Sequence, residues 1–204
     1  MVWLYIALTL VIGYLLGDLN GAVLVSHMFK DDVRTHGSGN AGLTNFIRSY
    51  GATHALLVVA VDALKAVAAC LIGGLLLKPY GMYAEGTALG GLAVLLGHIF
   101  PVFLGFRGGK GILSGLFVAV VVDWRIAVLI LAVFAVAYFA TGYVSLGSVL
   151  ASAGFSVGFA VFHYDNWIVL LCGVTMGLLA IFMHRQNIAR LIKGEERKTN
   201  LFKK

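Results

Sequence analysis

Charged residues are scarce in this sequence, which is 60% hydrophobic and only 12% charged over 204 residues. Soluble domains carry about a quarter charged residues, and no soluble core of this size could bury so much apolar surface. The mean hydropathy of +0.95 therefore excludes a soluble globular protein. It predicts a chain that crosses a membrane several times.

Acidic residues and cysteines are also few. The nine Asp and Glu residues form no cluster with the spacing of metal ligands, and Asp31 and Asp32 are an isolated pair. Cys70 and Cys172 both lie within apolar runs, which is typical of buried free thiols. We therefore expect no metal site, no disulfide bond and no cofactor.

The net charge of +6 comes mostly from cations at the predicted edges of the membrane. Anionic lipid headgroups and the orientation of the chain account for cations in those places. The charge therefore does not indicate nucleic-acid binding, and we expect no nucleic-acid partner.

Apolar segments of nearly 20 residues predict seven transmembrane helices. They lie at 2–25, 52–77, 86–104, 112–123, 126–141, 147–163 and 167–185. The fourth and fifth are short, so six or five spans also fit the pattern. The first lacks a basic start and a cleavage site, which predicts a retained helix. The expected fold is an all-α polytopic membrane protein, a single domain over residues 1–204 that ends in a short basic tail at 193–204.

The distribution of charge predicts the orientation. Seven spans place the loops at 26–50, 105–111 and 142–146 on the same face as the C-terminal tail. That face collects most of the cations, namely Lys30, Arg34, Arg48, Arg107, Lys110 and those from Arg185 to Lys204. The opposite face receives only Lys78 and Arg125. By the positive-inside rule, the first face is cytoplasmic and the N-terminus lies outside.

Three polar clusters rich in glycine and cations interrupt the apolar pattern, at 37–48, 97–111 and 184–197. Each adjoins a predicted helix end, and all three fall on the predicted cytoplasmic face. Backbone N–H groups of glycine-rich loops, together with Arg and Lys side chains, bind phosphate well. The clusters therefore predict a site for a phosphorylated molecule at the cytoplasmic surface.

The first cluster begins with Gly-Ser-Gly-Asn at 37–40, a run with little helix propensity. Such a loop could direct several N–H groups and the Ser38 hydroxyl to one anion, although an ordinary turn explains these four residues alone. Asn45 and Arg48 are three residues apart and would share one face of a helix. Arg48 could then hold a phosphate with two hydrogen bonds.

The second cluster places Lys110 between Gly109 and Gly111, close to Arg107. It lacks the spacing of a nucleotide-binding P-loop and the strand that should precede one. A smaller phosphate therefore fits this cluster better than a nucleotide does. The alternative is a cytoplasmic turn whose cations only set the topology.

The third cluster carries His184, Asn187 and Arg190 on one arc at the end of the last span. A histidine, an amide and a guanidinium so arranged could orient an alcohol and stabilise developing charge. The alternative is a basic end to the final span, which is the only role expected of residues 193–204.

Other polar residues allow two interpretations each. Pro101 predicts a bend because it removes a helix hydrogen bond, and His98 beside it is either structural or catalytic. Asp62 and Lys65 can pair within the second span, where ionisable groups are expensive, as part of a site or as a structural lock. Ser145 adds a hydroxyl to the predicted cytoplasmic face.

Together the three clusters resemble the patterns of one bacterial family. Its patterns run G-S-G-N-x-G-A-T-N-x-x-R, G-H-x-F-P-V-F-L-x-F-K-G-G-K-G and H-R-x-N-I-x-R-L-x-x-G-x-E, and all three occur here in order at helix ends. They are typical of the membrane-integral glycerol-3-phosphate acyltransferases that use acyl-phosphate, the PlsY family. The resemblance covers essentially the whole chain, and three long motifs in register are highly specific.

The departures from these patterns are modest. Leu43 replaces a usual Ala, Arg107 replaces a usual Lys, and Ile-Leu-Ser at 112–114 replaces Val-Ala-Thr. The first helix has Gly-Asp-Leu-Asn at 17–20 where Gly-Ser-Ile-Pro is typical. Asp18 is the least expected of these changes, and it could alter packing or the pH response of the site.

The resemblance implies a seven-span enzyme of the bacterial plasma membrane, with its active site facing the cytoplasm. Its substrates would be acyl-phosphate and sn-glycerol 3-phosphate, and its products 1-acyl-glycerol 3-phosphate (lysophosphatidic acid) and inorganic phosphate. This is the first committed step of phospholipid synthesis. The lipid bilayer is the other expected partner, and we expect a monomer.

Residue roles follow from the clusters and the resemblance together. Catalysis is assigned to Ser38, Asn40, Arg48, Lys110, His184 and Asn187. Substrate binding is assigned to Gly37, Gly39, Asn45, His98, Arg107, Gly108, Gly109, Gly111, Ser145 and Arg190. His184 is the only obvious protein base in its cluster, although a substrate phosphate oxygen could take the proton instead.

Two other functions would also use cationic clusters. A transporter for a phosphorylated small molecule should place its binding groups near the bilayer midplane, often with repeat symmetry, and this sequence shows neither feature. A lipid phosphotransferase usually needs acidic metal ligands, which the sequence does not cluster. Both are therefore disfavoured relative to the acyltransferase.

Overall fold

The computed structural model describes residues 1–198, which contain ten α-helices and no strand. The helices are α1 Val2–Asp18, α2 Gly21–His27, α3 Leu43–Tyr50, α4 Ala55–Leu77, α5 Tyr83–Ile99, α6 Ile112–Val122, α7 Trp124–Thr141, α8 Val144–Phe162, α9 Trp167–Met183 and α10 Arg185–Ile192. The prediction of an all-α fold is confirmed. Residues 199–204 of the predicted basic tail lie outside the described residues.

Helices occur in all seven predicted apolar segments, but they differ in length. Four candidate spans are long and apolar enough to cross a membrane: α4 extended to Tyr80, α5 extended to Leu104, α7 and α8. The pairs α1–α2 and α9–α10 become two more candidates if each bent pair is one span, whereas α6 has only 11 residues. The described residues thus supply four to six candidate spans, and the count of seven is not confirmed. The fifth segment, predicted to be short, forms the 18-residue α7.

The first apolar segment is broken where the sequence predicted one helix. α1 ends at Asp18 and α2 begins at Gly21, at an angle of 41°. Asn20 caps α2, because its side-chain oxygen accepts a hydrogen bond from Val23 N at 3.0 Å. Its Nδ2 atom also donates to the Ala41 carbonyl at 3.0 Å. The break therefore connects the end of α1 with the first polar cluster.

The helices form two compact units: the first is Met1–Val122 and the second begins at Asp123. The single domain expected from the sequence stays a prediction. In the first unit, α4 and α5 approach so closely at Gly73 and Gly86 that a Cβ on either residue would meet the carbonyl oxygen of the other. Small residues at such crossings allow membrane helices to pack backbone to backbone. In the second unit, α8 packs between α7 and α9.

All three polar clusters lie at helix ends, as predicted. In the first unit, one cluster fills the loop between α2 and α4 and includes α3, and another joins α5 to α6. In the second unit, the third cluster begins where α10 bends away from α9 by 54°. The polar clusters are thus short segments at the ends of the long apolar helices.

Candidate active site

Asn45 organises the loop of the first unit that carries residues 33–42. Its side-chain oxygen accepts a hydrogen bond from Ser38 N at 2.9 Å. Its Nδ2 atom donates to the carbonyl oxygens of Val33, His36 and Asn40 at 3.0, 3.0 and 3.1 Å. Only 2% of Asn45 is exposed. The Asn45 side chain therefore holds the loop in shape, and the contact with substrate expected from the sequence stays a prediction.

Two N–H groups of this loop are used within the loop itself. Ser38 N bonds to the organising amide, and Gly39 N donates to the His36 carbonyl at 2.9 Å. Gly37 and Gly39 have φ angles of +57° and +69°, which glycine adopts without strain. The Ser38 side chain and the Arg48 side chain at the end of α3 are exposed. The Gly39 N–H is thus already used by the loop, whereas the Ser38 and Arg48 side chains lie at the surface.

Arg34 links the first polar loop to the second. It forms an ion pair with Asp32 at 2.7 Å and donates from Nη1 to the Leu104 carbonyl at 2.9 Å. Hydrogen bonds from Arg34 lower the pKa of Asp32 from its ordinary value of 3.8. Burial, followed by a hydrogen bond to Asp31, raises the pKa of Tyr50 to about 12, so its phenol stays protonated and donates at 2.9 Å. These contacts brace the loop at neutral pH.

The second polar loop packs against His98, which is 3% exposed. Gly109 N donates to the His98 carbonyl at 3.1 Å. A Cβ on Gly109 would meet His98 Nε2 on one side and, at 2.7 Å, the Ala41 carbonyl oxygen on the other. A Cβ on Gly108 would meet the His98 carbonyl. These glycines, predicted to line a substrate pocket, are thus required for close packing, and they place the half-buried Lys110 directly after the contact.

α5 ends at Ile99, two residues before Pro101, and the chain continues in the short turn Val102–Leu104. Asp18, the unexpected residue of α1, is buried against this turn, and its Oδ2 atom accepts a hydrogen bond from Phe103 N at 3.2 Å. Within residues 1–198, its Oδ1 atom has no hydrogen-bond partner. Asp18 therefore helps to fix the turn. Arg107, three residues beyond the end of the turn, is exposed.

In the second unit, His184 lies at the bend between α9 and α10 and is 4% exposed. Its Nδ1 atom is 2.8 Å from the Ala180 carbonyl oxygen. A carbonyl oxygen only accepts hydrogen bonds, so Nδ1 carries the proton and Nε2 of the neutral ring carries the lone pair. This tautomer is the one that a base acting through Nε2 needs.

Glu196 is a residue of the third cluster that the sequence analysis did not assign. Its carboxylate accepts hydrogen bonds from Asn187 Nδ2 at 2.9 Å and from Arg190 Nε at 2.7 Å. The buried Ser145 hydroxyl lies near enough to help lower the pKa of Glu196, although it makes no well-formed hydrogen bond. Three predicted site residues thus surround this carboxylate. The sequence does contain a signal for this residue, because the final E of the third family pattern falls on Glu196.

The carboxylate of Glu196 is expected to stabilise the protein in a pH-dependent way. Burial raises its pKa, but hydrogen bonds from Asn187 and Arg190 outweigh this and lower the pKa from its ordinary value of 4.5. Because the folded-state pKa is depressed, the stabilisation is complete above about pH 4.5 and is lost as the pH falls through the folded value. We expect Glu196→Gln to lower the unfolding temperature at pH 7 by about 3 °C or more.

Thermal unfolding of the purified protein between pH 3 and pH 7 checks this prediction. Glu195→Gln is the matched control, because Glu195 is exposed and precedes Glu196 directly. The control should unfold at the wild-type temperature. Equal unfolding temperatures for Glu196→Gln and Glu195→Gln at pH 7 would contradict the role given to Glu196.

The structure therefore groups the predicted site residues within each unit. In the first unit, Gly109 lies between the His98 ring and the Ala41 carbonyl, which brings the first and second clusters together. In the second unit, Asn187, Arg190 and Ser145 gather around a carboxylate. The first unit thus holds cations and hydroxyls close to one packed loop contact, and the second holds a histidine whose Nδ1 contacts a backbone carbonyl.

The chain is similar to known proteins over most of its length. Residues 7–194 match the family described as glycerol-3-phosphate acyltransferase. A glycerol-3-phosphate acyltransferase of Thermoanaerobacter pseudethanolicus is 41% identical over 196 residues, which cover 96% of each chain. One of Neisseria meningitidis serogroup B is 36% identical over 189 residues, which cover 92% of this chain and 94% of the relative.

Two crystal structures of PlsY, an integral membrane glycerol 3-phosphate acyltransferase, have the same fold. The glycerol 3-phosphate form has a TM-score of 0.87 at 33% identity and covers 97% of this chain and 99% of its own. The lysophosphatidic acid form has a TM-score of 0.84 at 33% identity, with coverage of 96% and 95%. The resemblance noted from the three motifs is confirmed.

Proposed function

Because this chain belongs to the glycerol-3-phosphate acyltransferase family of integral membrane proteins, we propose that its acyl donor is an acyl-phosphate. The fatty acyl group passes to the 1-hydroxyl of sn-glycerol 3-phosphate. The products are lysophosphatidic acid and inorganic phosphate. The three motifs of the sequence, which match the acyl-phosphate-dependent branch of the family, support this choice of donor.

The observation that carries the proposal is the meeting of two cation-bearing loops at Gly109. The Ala41 carbonyl of the first loop and the His98 ring both lie against this residue, and Lys110 follows it. Both proposed substrates contain phosphate. Two phosphate-bearing substrates explain the presence of two cationic loops in one region better than a single anionic ligand would. The related PlsY structures were solved in glycerol 3-phosphate and lysophosphatidic acid forms, which supports the same acceptor and product here.

The chemistry needs little beyond positioning and charge stabilisation. The acceptor hydroxyl attacks the acyl carbonyl carbon, a C–O ester bond forms, and the bond between the acyl carbon and the phosphate oxygen breaks. The hydroxyl proton is lost, and phosphate leaves with the electron pair. Phosphate is a good leaving group, so no covalent intermediate with the enzyme is required. Arg48, Lys110 and the Ser38–Asn40 segment are proposed to bind phosphate and to stabilise the developing charge.

For the second unit we propose that Asn187 orients the hydroxyl and that His184 accepts its proton at Nε2. The Nδ1 contact with the Ala180 carbonyl supports this choice, because it leaves Nε2 as the basic nitrogen. The proposed membrane arrangement has seven spans, with α6 as the short one. The N-terminus lies outside, and the active site faces the cytoplasm of a bacterial plasma membrane. The active form is proposed to be a monomer.

The test is an assay of purified protein in lipid or detergent, with palmitoyl-phosphate as donor, in the presence and absence of sn-glycerol 3-phosphate. We expect acceptor-dependent release of phosphate together with lysophosphatidic acid. Lys110→Ala should lower this turnover by at least about 100-fold, because one preorganised donor to developing charge is lost. Lys78→Ala is the control, since Lys78 is exposed and lies outside the three clusters.

The same assay decides between the two proton acceptors. His184→Ala should lose most of its activity if Nε2 takes the proton, whereas substantial remaining activity would assign this role to a substrate phosphate oxygen. No turnover by well-folded wild-type protein would overturn the proposed reaction. Other acyl donors, and then phosphate flux into liposomes, would be measured next.

A further inference from the structure

A buried ion pair in α4 has no part in the proposed chemistry. Asp62 Oδ1 and Lys65 Nζ are 2.8 Å apart, and the two residues are 1% and 4% exposed. Burying two charges is unfavourable unless further hydrogen bonds compensate for the lost water. The other hydrogen-bond partners of Lys65 therefore indicate the role of this ion pair.

The ammonium of Lys65 has three hydrogens and makes three contacts of 2.8 Å. They reach Asp62 Oδ1, the Leu19 carbonyl oxygen and His98 Nδ1. A fourth contact, to the Gly17 carbonyl oxygen, is longer at 3.2 Å. The side chain thus joins α4 to the end of α1 and to the last turn of α5.

These contacts determine the tautomer of His98. An ammonium group has no lone pair, so Nδ1 of His98 can only accept the hydrogen bond from Lys65. The proton of the neutral ring must then lie on Nε2. The oxygen atoms around Lys65 Nζ, which are Asp62 Oδ1 and the carbonyl oxygens of Leu19 and Gly17, accept hydrogen bonds from it and therefore suit its ammonium form.

The Nε2 atom of His98 lies against Gly109, the residue before Lys110. The backbone of His98 holds the same residue, because its carbonyl accepts the hydrogen bond from Gly109 N. Lys65 also holds the Leu19 carbonyl, next to Asn20, whose side chain bonds to the Ala41 carbonyl on the other side of Gly109. The Lys65 side chain thus contacts the His98 ring on one side of Gly109, and through Leu19 and Asn20 it is connected to the Ala41 carbonyl on the other side.

We infer that Lys65, held by Asp62, is a positioning residue: it fixes the Nε2-protonated tautomer of His98 and thereby the position of Gly109 and Lys110. This inference rests on the proposed function, because Lys110 is given its role there. Neither Asp62 nor Lys65 contacts substrate in this scheme. Their effect passes through the His98 ring and the end of α1.

A first experiment measures the tautomer without any turnover. The protein is labelled with ¹⁵N-histidine in detergent micelles, and nitrogen-detected correlation spectra separate protonated from unprotonated ring nitrogens. The His98 signals are identified by their absence from His98→Gln. We expect an unprotonated Nδ1 and a protonated Nε2 at neutral pH. A protonated Nδ1 in the wild-type protein would overturn the inference, whether or not the protein turns over acyl-phosphate.

A second experiment separates positioning from simple stabilisation. In Asp62→Leu/Lys65→Met, both charges are replaced together by apolar groups, a change that often preserves stability. We expect this variant to unfold near the wild-type temperature and to lose kcat roughly 10- to 100-fold, as small displacements of catalytic groups do. His98→Gln should add little further loss in this background, because the two changes act on the same contact.

Arg125→Met is the control for loss of an ion pair, since Arg125 pairs with Asp123 in the second unit at 2.6 Å. It should keep the wild-type kcat. A folded Asp62→Leu/Lys65→Met protein with the wild-type kcat would overturn the inference and leave the acyltransferase proposal intact. An inactive wild-type protein would instead overturn the proposed reaction, and the nitrogen spectra would still test the tautomer.

Discussion

Replacing Gly109 with alanine is expected to lower kcat/KM for acyl transfer by about 100-fold or more. The added Cβ would meet the His98 ring on one side and lie 2.7 Å from the Ala41 carbonyl oxygen on the other. Both neighbours are buried, and neither is the free end of a flexible side chain. The loop must therefore move, and displacing Lys110, the proposed phosphate-binding group, by about 1 Å can cost about 100-fold in rate.

Gly115→Ala is the matched control for this prediction. Gly115 lies in α6, a few residues after Lys110, and a Cβ there would meet no atom within 4 Å. Alanine also favours the helix relative to glycine, so the control should be at least as stable as the wild type and fully active. Steady-state kinetics with varied glycerol 3-phosphate measure both variants. Equal kcat/KM values for Gly109→Ala and Gly115→Ala would show that the loop tolerates the displacement.

Asn45→Asp is expected to have the second large effect, although aspartate has nearly the same shape as asparagine. The carboxylate can still accept the Ser38 N–H, but the Nδ2 donor is lost. The three carbonyl groups that it served, of Val33, His36 and Asn40, would face a carboxylate oxygen instead. Leaving buried acceptors unpaired costs about 1–3 kcal/mol each, and repulsion adds to this loss.

The measurements are thermal unfolding and the KM for glycerol 3-phosphate. We expect Asn45→Asp to lower the unfolding temperature by about 5 °C or more and to raise KM, because the loop that carries Ser38 loses its shape. Ser49→Ala, an exposed change on the same helix, should alter neither value. Wild-type stability in Asn45→Asp would mean that the loop does not depend on the amide donor.

Both predictions treat the polar loops as packed structures rather than as open glycine-rich chains. Asn45 uses the Ser38 N–H, and the His98 carbonyl uses the Gly109 N–H. The glycines therefore serve to bring loop, ring and carbonyl close together, and the cations and hydroxyls remain as the groups proposed to hold phosphate. A loop held in this way loses little entropy when an anion binds, which favours catalysis by preorganised charge.

The amino-acid sequence by itself determined the class of fold and the places where polar residues occur. A backbone in lipid must satisfy its hydrogen bonds internally, so long apolar segments predict helices reliably, and all seven segments contain one. Glycine and cation clusters between such segments must lie at helix ends. The three motifs also indicated the family, since their order and spacing are a property of the sequence alone.

Only the tertiary structure decided which polar residues meet. The break at Asn20 lies within a segment that the sequence treated as one helix, because the capping hydrogen bond to Val23 leaves no trace in hydropathy. The pairing of Asp62 with Lys65 followed from helical spacing, but the contact of Lys65 with His98 joins residues 33 positions apart. Such contacts depend on how helices pack against each other. Periodicity along one helix carries no information about that packing.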